Sequence, residues 1–174
     1  RVAGQAAERH PAEDDIRILG PPVGQHTGAV RPGHLRQAAR ALVVGAGHEQ
    51  AAREQARFAA AVARVPRSRT LFNNTCLDIL AVAGAMLDGE LEYRRGNYGE
   101  AFRLLRRAVE LDDGLPYDEP WGWMQPARHA YGALLLEQGL LTEAEAVYRA
   151  DLGLDGTLAR ACQHPGNVWS LHGY

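Results

Sequence analysis

The chain has 174 residues, of which 46% are hydrophobic and 23% charged, as is typical of a soluble globular protein. Its formal net charge is −2 and its cations are arginines interspersed with Asp and Glu, which excludes a broad basic surface for nucleic acid. The longest strongly apolar stretch, 79–87, is shorter than the ~20 residues of a membrane-spanning helix, so we expect no nucleic-acid partner and no membrane span.

The first third of the chain is predicted to be less regular than the rest. Residues 1–33 are poor in aromatic side chains and contain several Pro and Gly, which predicts an irregular or flexible lead-in. Ala, Leu and Val then recur at helical spacing on both sides of Gly45 and Gly47. This pattern predicts a degenerate helical hairpin over 34–65, which Pro66 ends because proline cannot continue a helix.

A clearer helical hairpin is predicted next. Asn73 and Asn74 are candidate caps for its first helix, since an Asn side chain accepts hydrogen bonds from free backbone N–H groups. That helix is predicted to run to about Arg95. Apolar residues at steps of three and four then predict a second helix, which ends near Leu111.

A second hairpin is predicted over 126–138 and 142–152. Thr142 is the candidate cap of its second helix, with Glu145 three positions later in the capping-box arrangement. Residues 165–174 have the pattern of the opening turns of another first helix.

The two hairpins repeat each other in one register, 43 positions apart. The matching residues are Gly89, Gly96, Glu100, Ala101, Leu105 and Arg106, then Gly132, Gly139, Glu143, Ala144, Tyr148 and Arg149. A single helix-turn-helix unit cannot bury its apolar face alone, so such units stack on their neighbours. The repeat therefore predicts layers of helix pairs.

The repeat resembles the tetratricopeptide repeat, in which a small residue, a turn glycine, an alanine and a large apolar residue recur at fixed positions. The residues that carry the resemblance are Gly89, Gly96, Ala101 and Leu105, then Gly132, Gly139, Ala144 and Tyr148. Asp151 departs from the small residue that the family has near that position. The segment 117–126 also resembles one found in uncharacterised bacterial tetratricopeptide proteins.

The resemblance implies an all-α fold, a right-handed α-solenoid of antiparallel helical hairpins. The tetratricopeptide-like region is 73–174, with repeats at about 73–111 and 125–153 and a truncated unit at 165–174. The spacing of 43 residues exceeds the family's ~34 because 112–124 forms an inserted loop.

Tetratricopeptide arrays usually bind extended peptides on their concave side, so the resemblance implies a noncatalytic scaffold with a protein or peptide partner. The polar residues that fall on the family's groove positions are Glu90, Tyr93, Arg94, His129 and Glu137. Apolar residues at the same set of positions include Met86 and Pro126. The chain has no lysine, which argues against a clamp for a terminal carboxylate.

The inserted loop 112–124 concentrates aromatic and acidic side chains, and long loops between helices are often functional. Its candidate wall residues are Tyr117, Trp121, Trp123 and Met124. They line a ligand site, or the two tryptophans fill the gap between stacked hairpins. Both interpretations stay open.

An alternative function is that of a small-molecule or metal-binding protein, conceivably catalytic, with a pocket formed by the Trp-rich loop, His129, Cys162 and His164. The candidate metal ligands Cys162, His164 and His172 lack the paired spacing of a zinc motif, so neither a metal site nor a cofactor is predicted. The sequence has no nucleophile motif and no Gly-rich phosphate loop, which favours a noncatalytic protein over an enzyme.

Two further expectations concern location and assembly. Cys76 and Cys162 are far apart and no secretory pattern precedes them, so we expect reduced thiols in the cytoplasm of a bacterium. The last predicted helix has no partner and carries Trp169 and Leu171, so self-association through this helix is a third hypothesis.

Overall fold

The computed structural model describes the backbone of residues 32–174 and, within it, the side chains of residues 47–174. The α-helices of this part of the chain are α1 (Pro32–Val62), α2 (Cys76–Arg94), α3 (Tyr98–Asp113), α4 (Ala127–Glu137), α5 (Leu141–Leu152) and α6 (Val168–Gly173). The strands β1 (Thr70–Leu71) and β2 (Asn74–Thr75) form a short antiparallel pair, and Arg160–Cys162 is a 3₁₀ turn. The described region is therefore mostly helical, as the sequence predicts.

Helices α2 and α3 pack against each other, as do α4 and α5, and α3 packs on α4. Glycines permit close contact within each pair. A Cβ atom on Gly89 would lie 2.7 Å from Cγ of Leu105, and one on Gly132 would lie 2.6 Å from Cζ of Tyr148. Because Gly89 and Gly132 are equivalent in the repeat, the two helix pairs are held together by the same kind of contact.

One hydrophobic core joins the two helix pairs. Ala101 and Ala144, which are equivalent in the repeat, are both completely buried. The rings of Phe102 on α3 and Tyr131 on α4 lie 6.1 Å apart, centroid to centroid. The buried members of this core are Tyr93, Ala101, Phe102, Leu105, Tyr131, Leu134, Leu135, Ala144 and Tyr148.

The segment before α2 differs from its predicted form. Helix α1 is continuous through Gly45 and Gly47, where the sequence predicts a break between two helices. A glycine inside a helix costs only about 1 kcal/mol, so without a proline the helix need not end there. The predicted lead-in lies outside the described residues, apart from Pro32 and Gly33 at the start of α1.

Two predicted helix caps are also different in the structure. Thr75, rather than Asn73 or Asn74, caps α2 by accepting a hydrogen bond from the N–H of Asp78 at 3.1 Å. Helix α5 begins at Leu141, one residue before Thr142, and its first turn has no side-chain cap. Both asparagines are instead engaged with the inserted loop. In the part of the chain that the structure describes, no helix is both long and apolar enough to cross a bilayer.

Replacing Gly132 by Ala tests the close packing of α4 and α5. The added methyl group would overlap the buried ring of Tyr148, so we expect the free energy of unfolding to fall by about 1–3 kcal/mol. Gly99→Ala is the matched control, because a Cβ atom there meets nothing within 4 Å and should raise helix stability slightly. Urea unfolding of both variants measures the difference, and equal stability would contradict this packing.

Candidate functional site

A completely buried carboxylate lies at the centre of the site. Asp151, in the last turn of α5, is 0% exposed. Nε2 of His129 lies 3.0 Å from its Oδ2 atom, and Nδ1 of His164 lies 2.7 Å from its Oδ1 atom. Nδ2 of Asn167 and Oγ of Ser170 donate to Oδ2 at 2.8 and 2.5 Å. Four side chains thus converge on one acidic group.

Three parts of the fold supply these four side chains. His129 lies on α4, and Ser170 lies on α6. His164 precedes α6, where its backbone N–H also donates to the carbonyl oxygen of Asp151 at 2.6 Å. Asn167 caps α6 by accepting a hydrogen bond from the N–H of Ser170 at 2.8 Å. Asp151 therefore ties α4, α5 and α6 together.

Hydrogen bonding keeps Asp151 ionised. Burial alone would raise the pKa of this carboxyl, but hydrogen bonds from His129, His164 and Ser170 outweigh burial and hold the pKa well below its usual range. An ionised carboxylate only accepts hydrogen bonds, so the histidine nitrogens that face it carry protons. The other ring nitrogens, Nδ1 of His129 and Nε2 of His164, have no hydrogen-bond partner among the described residues.

Both histidines line a cleft of about 370 Å³. Its walls come from α2, the inserted loop, α4, and the start of α6. The rings of Trp121 and His164 pack in a T-shaped arrangement, with their centroids 4.3 Å apart. The lining residues are Met86, Trp121, Met124, Gln125, Pro126, His129, Ala130, His164, Asn167 and Trp169. The cleft is therefore mainly apolar and aromatic, with a small polar region around the two imidazoles.

Hydrogen bonds hold the inserted loop in place beside the cleft. The side chain of Asp118 is buried and accepts hydrogen bonds from the backbone N–H of Asn73 at 3.1 Å and from Nδ2 of Asn74 at 3.0 Å. Nε1 of Trp123 donates to the sulfur of Met86 at 3.1 Å. These contacts hold the loop to the start of α2, which places Trp121 and Met124 in the wall of the cleft.

A smaller cavity of about 50 Å³ lies on the other side of Trp121 and His164. Asp112 lines it and accepts a hydrogen bond from the N–H of Ala127 at 2.9 Å, at the start of α4. Burial raises the pKa of Asp112 to about 6. The thiol of Cys162 donates to the carbonyl oxygen of Asp113, and burial raises the pKa of this thiol. Cys162 is therefore a protonated packing group rather than a reactive thiolate.

The predicted groove residues occupy different environments. Tyr93 is only 4% exposed, and its hydroxyl accepts a hydrogen bond from Gln138 in the core. Glu90 and Arg94 form an ion pair at 3.6 Å on α2, and Glu137 is exposed at the end of α4. Of the five, His129 is the one that lines the described cleft.

The remaining predicted residues divide between the two cavities. Met124 lines the cleft, Tyr117 and Trp123 line the smaller cavity, and Trp121 lines both. Cys162 also lines the smaller cavity, and His172 is exposed on α6. The structure thus places His164 close to His129. The other two candidate metal ligands, Cys162 and His172, lie outside this cluster.

Sequence reasoning missed the residues that organise the site. Asp151 was marked only by its departure from the repeat pattern, where a small residue is expected. Asn167 gave no sequence signal beyond its residue type, which favours helix caps, and Ser170 gave none. Comparison with protein-family models, with curated proteins and with solved structures finds no match. Support for a function therefore comes from the geometry and chemistry of the cleft.

Asp112 predicts a pH dependence of stability. Its pKa of about 6 in the folded chain exceeds its ordinary 3.8, so the folded state favours the protonated carboxyl, and stability falls as pH rises from about 4 through 6. Asp112→Asn keeps an oxygen acceptor for Ala127 and removes the charge. We expect it to stabilise the protein at pH 7.5 by on the order of 1–3 kcal/mol, with little gain at pH 4.

Thermal unfolding at both pH values checks this expectation. Glu145→Gln, an exposed substitution on α5, removes the same charge without changing a buried carboxyl. If Asp112→Asn raises the unfolding temperature equally at pH 4 and pH 7.5, the Asp112 carboxyl is not the cause of the pH dependence of stability.

Proposed function

We propose that this protein binds a small ligand in the cleft between the inserted loop, α4 and α6. The observation that carries the proposal is the lining of the cleft, where Trp121, Trp169 and Met124 surround two imidazoles held by a buried carboxylate. Small-molecule sites are mostly apolar clefts of ~300–1,000 Å³ with a few fixed polar groups. At about 370 Å³, this cleft lies at the lower end of that range.

The polar groups favour a ligand with hydrogen-bond donors. Each neutral imidazole that donates to Asp151 presents a lone pair on its second nitrogen, so Nδ1 of His129 and Nε2 of His164 accept hydrogen bonds. The indoles and thioethers around them pack well against a flat apolar body. The expected ligand class is therefore an aromatic or other flat molecule that carries hydroxyl or amino groups.

The same site supports binding rather than catalysis. Ser170 lies near a histidine and an aspartate, the residue types of a catalytic triad, but it is completely buried and donates directly to Asp151. A nucleophilic serine instead needs a histidine as its hydrogen-bond partner and access to substrate. The proposed activity is therefore noncatalytic.

The repeat supports a scaffold of tetratricopeptide type for this cleft. Met86 and His129 both fall on the fifth position of their repeats, a position that faces the concave groove in that family, and both line the cleft. The proposed architecture is an α-solenoid of helical hairpins in which the inserted loop closes one end of the groove. The proposed setting is the bacterial cytoplasm, as expected from the sequence.

Ligand-observed NMR tests the proposed binding. The probes are phenol, aniline, indole and tyramine, each titrated into the full chain. We expect saturation transfer to at least one hydroxyl- or amino-bearing probe, and roughly tenfold weaker binding in Trp169→Ala, because the indole forms one wall.

Leu171→Ala is the matched control on the same helix, since Leu171 is exposed and does not line the cleft. Toluene is added as an apolar probe, and His129→Gln should weaken tyramine binding more than toluene binding because the imidazole accepts a hydrogen bond from tyramine alone. Absence of binding for every probe, or equal loss in Leu171→Ala and Trp169→Ala, would overturn the proposal.

A peptide partner is a second candidate, favoured by the surface that continues the cleft along α2. Met86, Glu90 and Arg94 are four residues apart and share one helix face, so an extended chain anchored in the cleft would meet the Glu90–Arg94 ion pair. We expect Arg94→Ala to reduce binding to a random peptide array several-fold while leaving tyramine binding unchanged. An unaltered array pattern would remove this candidate.

A further inference from the structure

The geometry points to a divalent transition-metal site formed by His129, Asp151 and His164, with Zn²⁺ as the best-matched ion. The three residues come from α4, α5 and the segment before α6, and their ligand atoms all lie within 4.8 Å of one another. This site shares His129 and His164 with the proposed cleft, but its test is metal binding with no organic ligand present.

The distances are close to those of a metal centre. Nitrogen and oxygen ligands of tetrahedral Zn²⁺ lie ~2.0–2.2 Å from the ion and therefore ~3.3–3.5 Å from one another. The two imidazole nitrogens lie 3.0 and 2.7 Å from the carboxylate oxygens of Asp151. All three ligand atoms lie within 4.8 Å of one another, so an ion between them requires each ligand atom to move by on the order of 1 Å.

Crowding at one oxygen atom is the second observation that favours an ion. Oδ2 of Asp151 accepts hydrogen bonds from Nε2 of His129, Nδ2 of Asn167 and Oγ of Ser170, at 3.0, 2.8 and 2.5 Å. Each carboxylate oxygen has about two lone-pair sites, so Asn167 and Ser170 alone can satisfy Oδ2. Coordination of Nε2 of His129 to an ion would remove one donor and leave Asn167 and Ser170 to orient the carboxylate, as outer hydrogen bonds do at metal sites.

Metal coordination requires no proton to leave the protein. When the ion binds, the proton on Nε2 of His129 moves to Nδ1, and the proton on Nδ1 of His164 moves to Nε2. Each imidazole exchanges one tautomer for the other, so the number of protons on the two rings does not change. Both histidines line the cleft while Asp151 is completely buried, so the ion would lie at the floor of the cleft with a further position for water.

The donor set selects the class of ion. Two imidazoles and one carboxylate suit Zn²⁺ and its neighbours in the transition series, whereas Mg²⁺ and Ca²⁺ prefer oxygen ligands alone. The thiol of Cys162 contributes nothing to this set, because it donates to the carbonyl oxygen of Asp113. We therefore expect binding of Zn²⁺ and Co²⁺ and none of Mg²⁺.

Calorimetric titration of the EDTA-treated full chain with Zn²⁺, Co²⁺ and Mg²⁺ tests the site. We expect one Zn²⁺ per chain, a rise in unfolding temperature of roughly 5–10 °C at a hundredfold excess over Kd, and no change with Mg²⁺. Bound Co²⁺ should show the visible absorption bands of a four- or five-coordinate ion.

His129→Gln and His164→Gln should each weaken Zn²⁺ binding at least tenfold, while His172→Gln, an exposed histidine on α6, should bind as the unaltered chain does. Circular dichroism confirms that the variants are folded. If a variant does not fold, the test is the visible spectrum of Co²⁺ bound to the unaltered chain. Absorption bands of an octahedral ion, or no bands at all, would overturn the proposal. Substoichiometric Zn²⁺, or equal losses in His172→Gln and His129→Gln, would also overturn it.

Discussion

The cleft depends on the burial of one ionised carboxylate. Taking a charged group out of water costs several kcal/mol, and the cost is offset only when hydrogen bonds satisfy the group fully. Asp151 meets this condition through donors on α4, on α6 and in the segment between α5 and α6. Because these elements share one acceptor, their hydrogen bonds to it fix their positions relative to one another. The relative positions of His129 and His164 follow from this constraint.

A second constraint acts on the inserted loop. Loops of this length lose much conformational entropy when they are ordered, and few apolar contacts are available to compensate. Here Asp118 accepts hydrogen bonds from Asn73 and Asn74. The indole N–H of Trp123 donates a hydrogen bond to the sulfur of Met86 on α2. The loop thus belongs to the same packed unit as the helices, and it forms a fixed wall of the cleft.

The helix pairs could be predicted from the sequence because their determinants are local, as with Gly89 and Gly132 at equivalent positions. The predicted helix break at Gly45 was wrong because a helix tolerates a glycine. The predicted capping role of Asn74 was wrong because its side chain bonds to Asp118, which lies 44 positions away in the sequence. His129 and His164 were both candidates for the pocket. Their meeting at Asp151 depends on the path of the chain after α5, which no periodicity encodes, so the centre of the site could not be predicted.

The order in which the elements around the cleft come together also bears on how the chain folds. Contacts within α2 and α3, or within α4 and α5, close short loops and can form early. The bond from Asn74 to Asp118 joins residues 44 positions apart, and Asp151 is fully hydrogen-bonded only after α6 packs on the α4–α5 pair. We expect the helix pairs to form first and the cleft to be completed last, so a partly folded chain would have its core without its binding site.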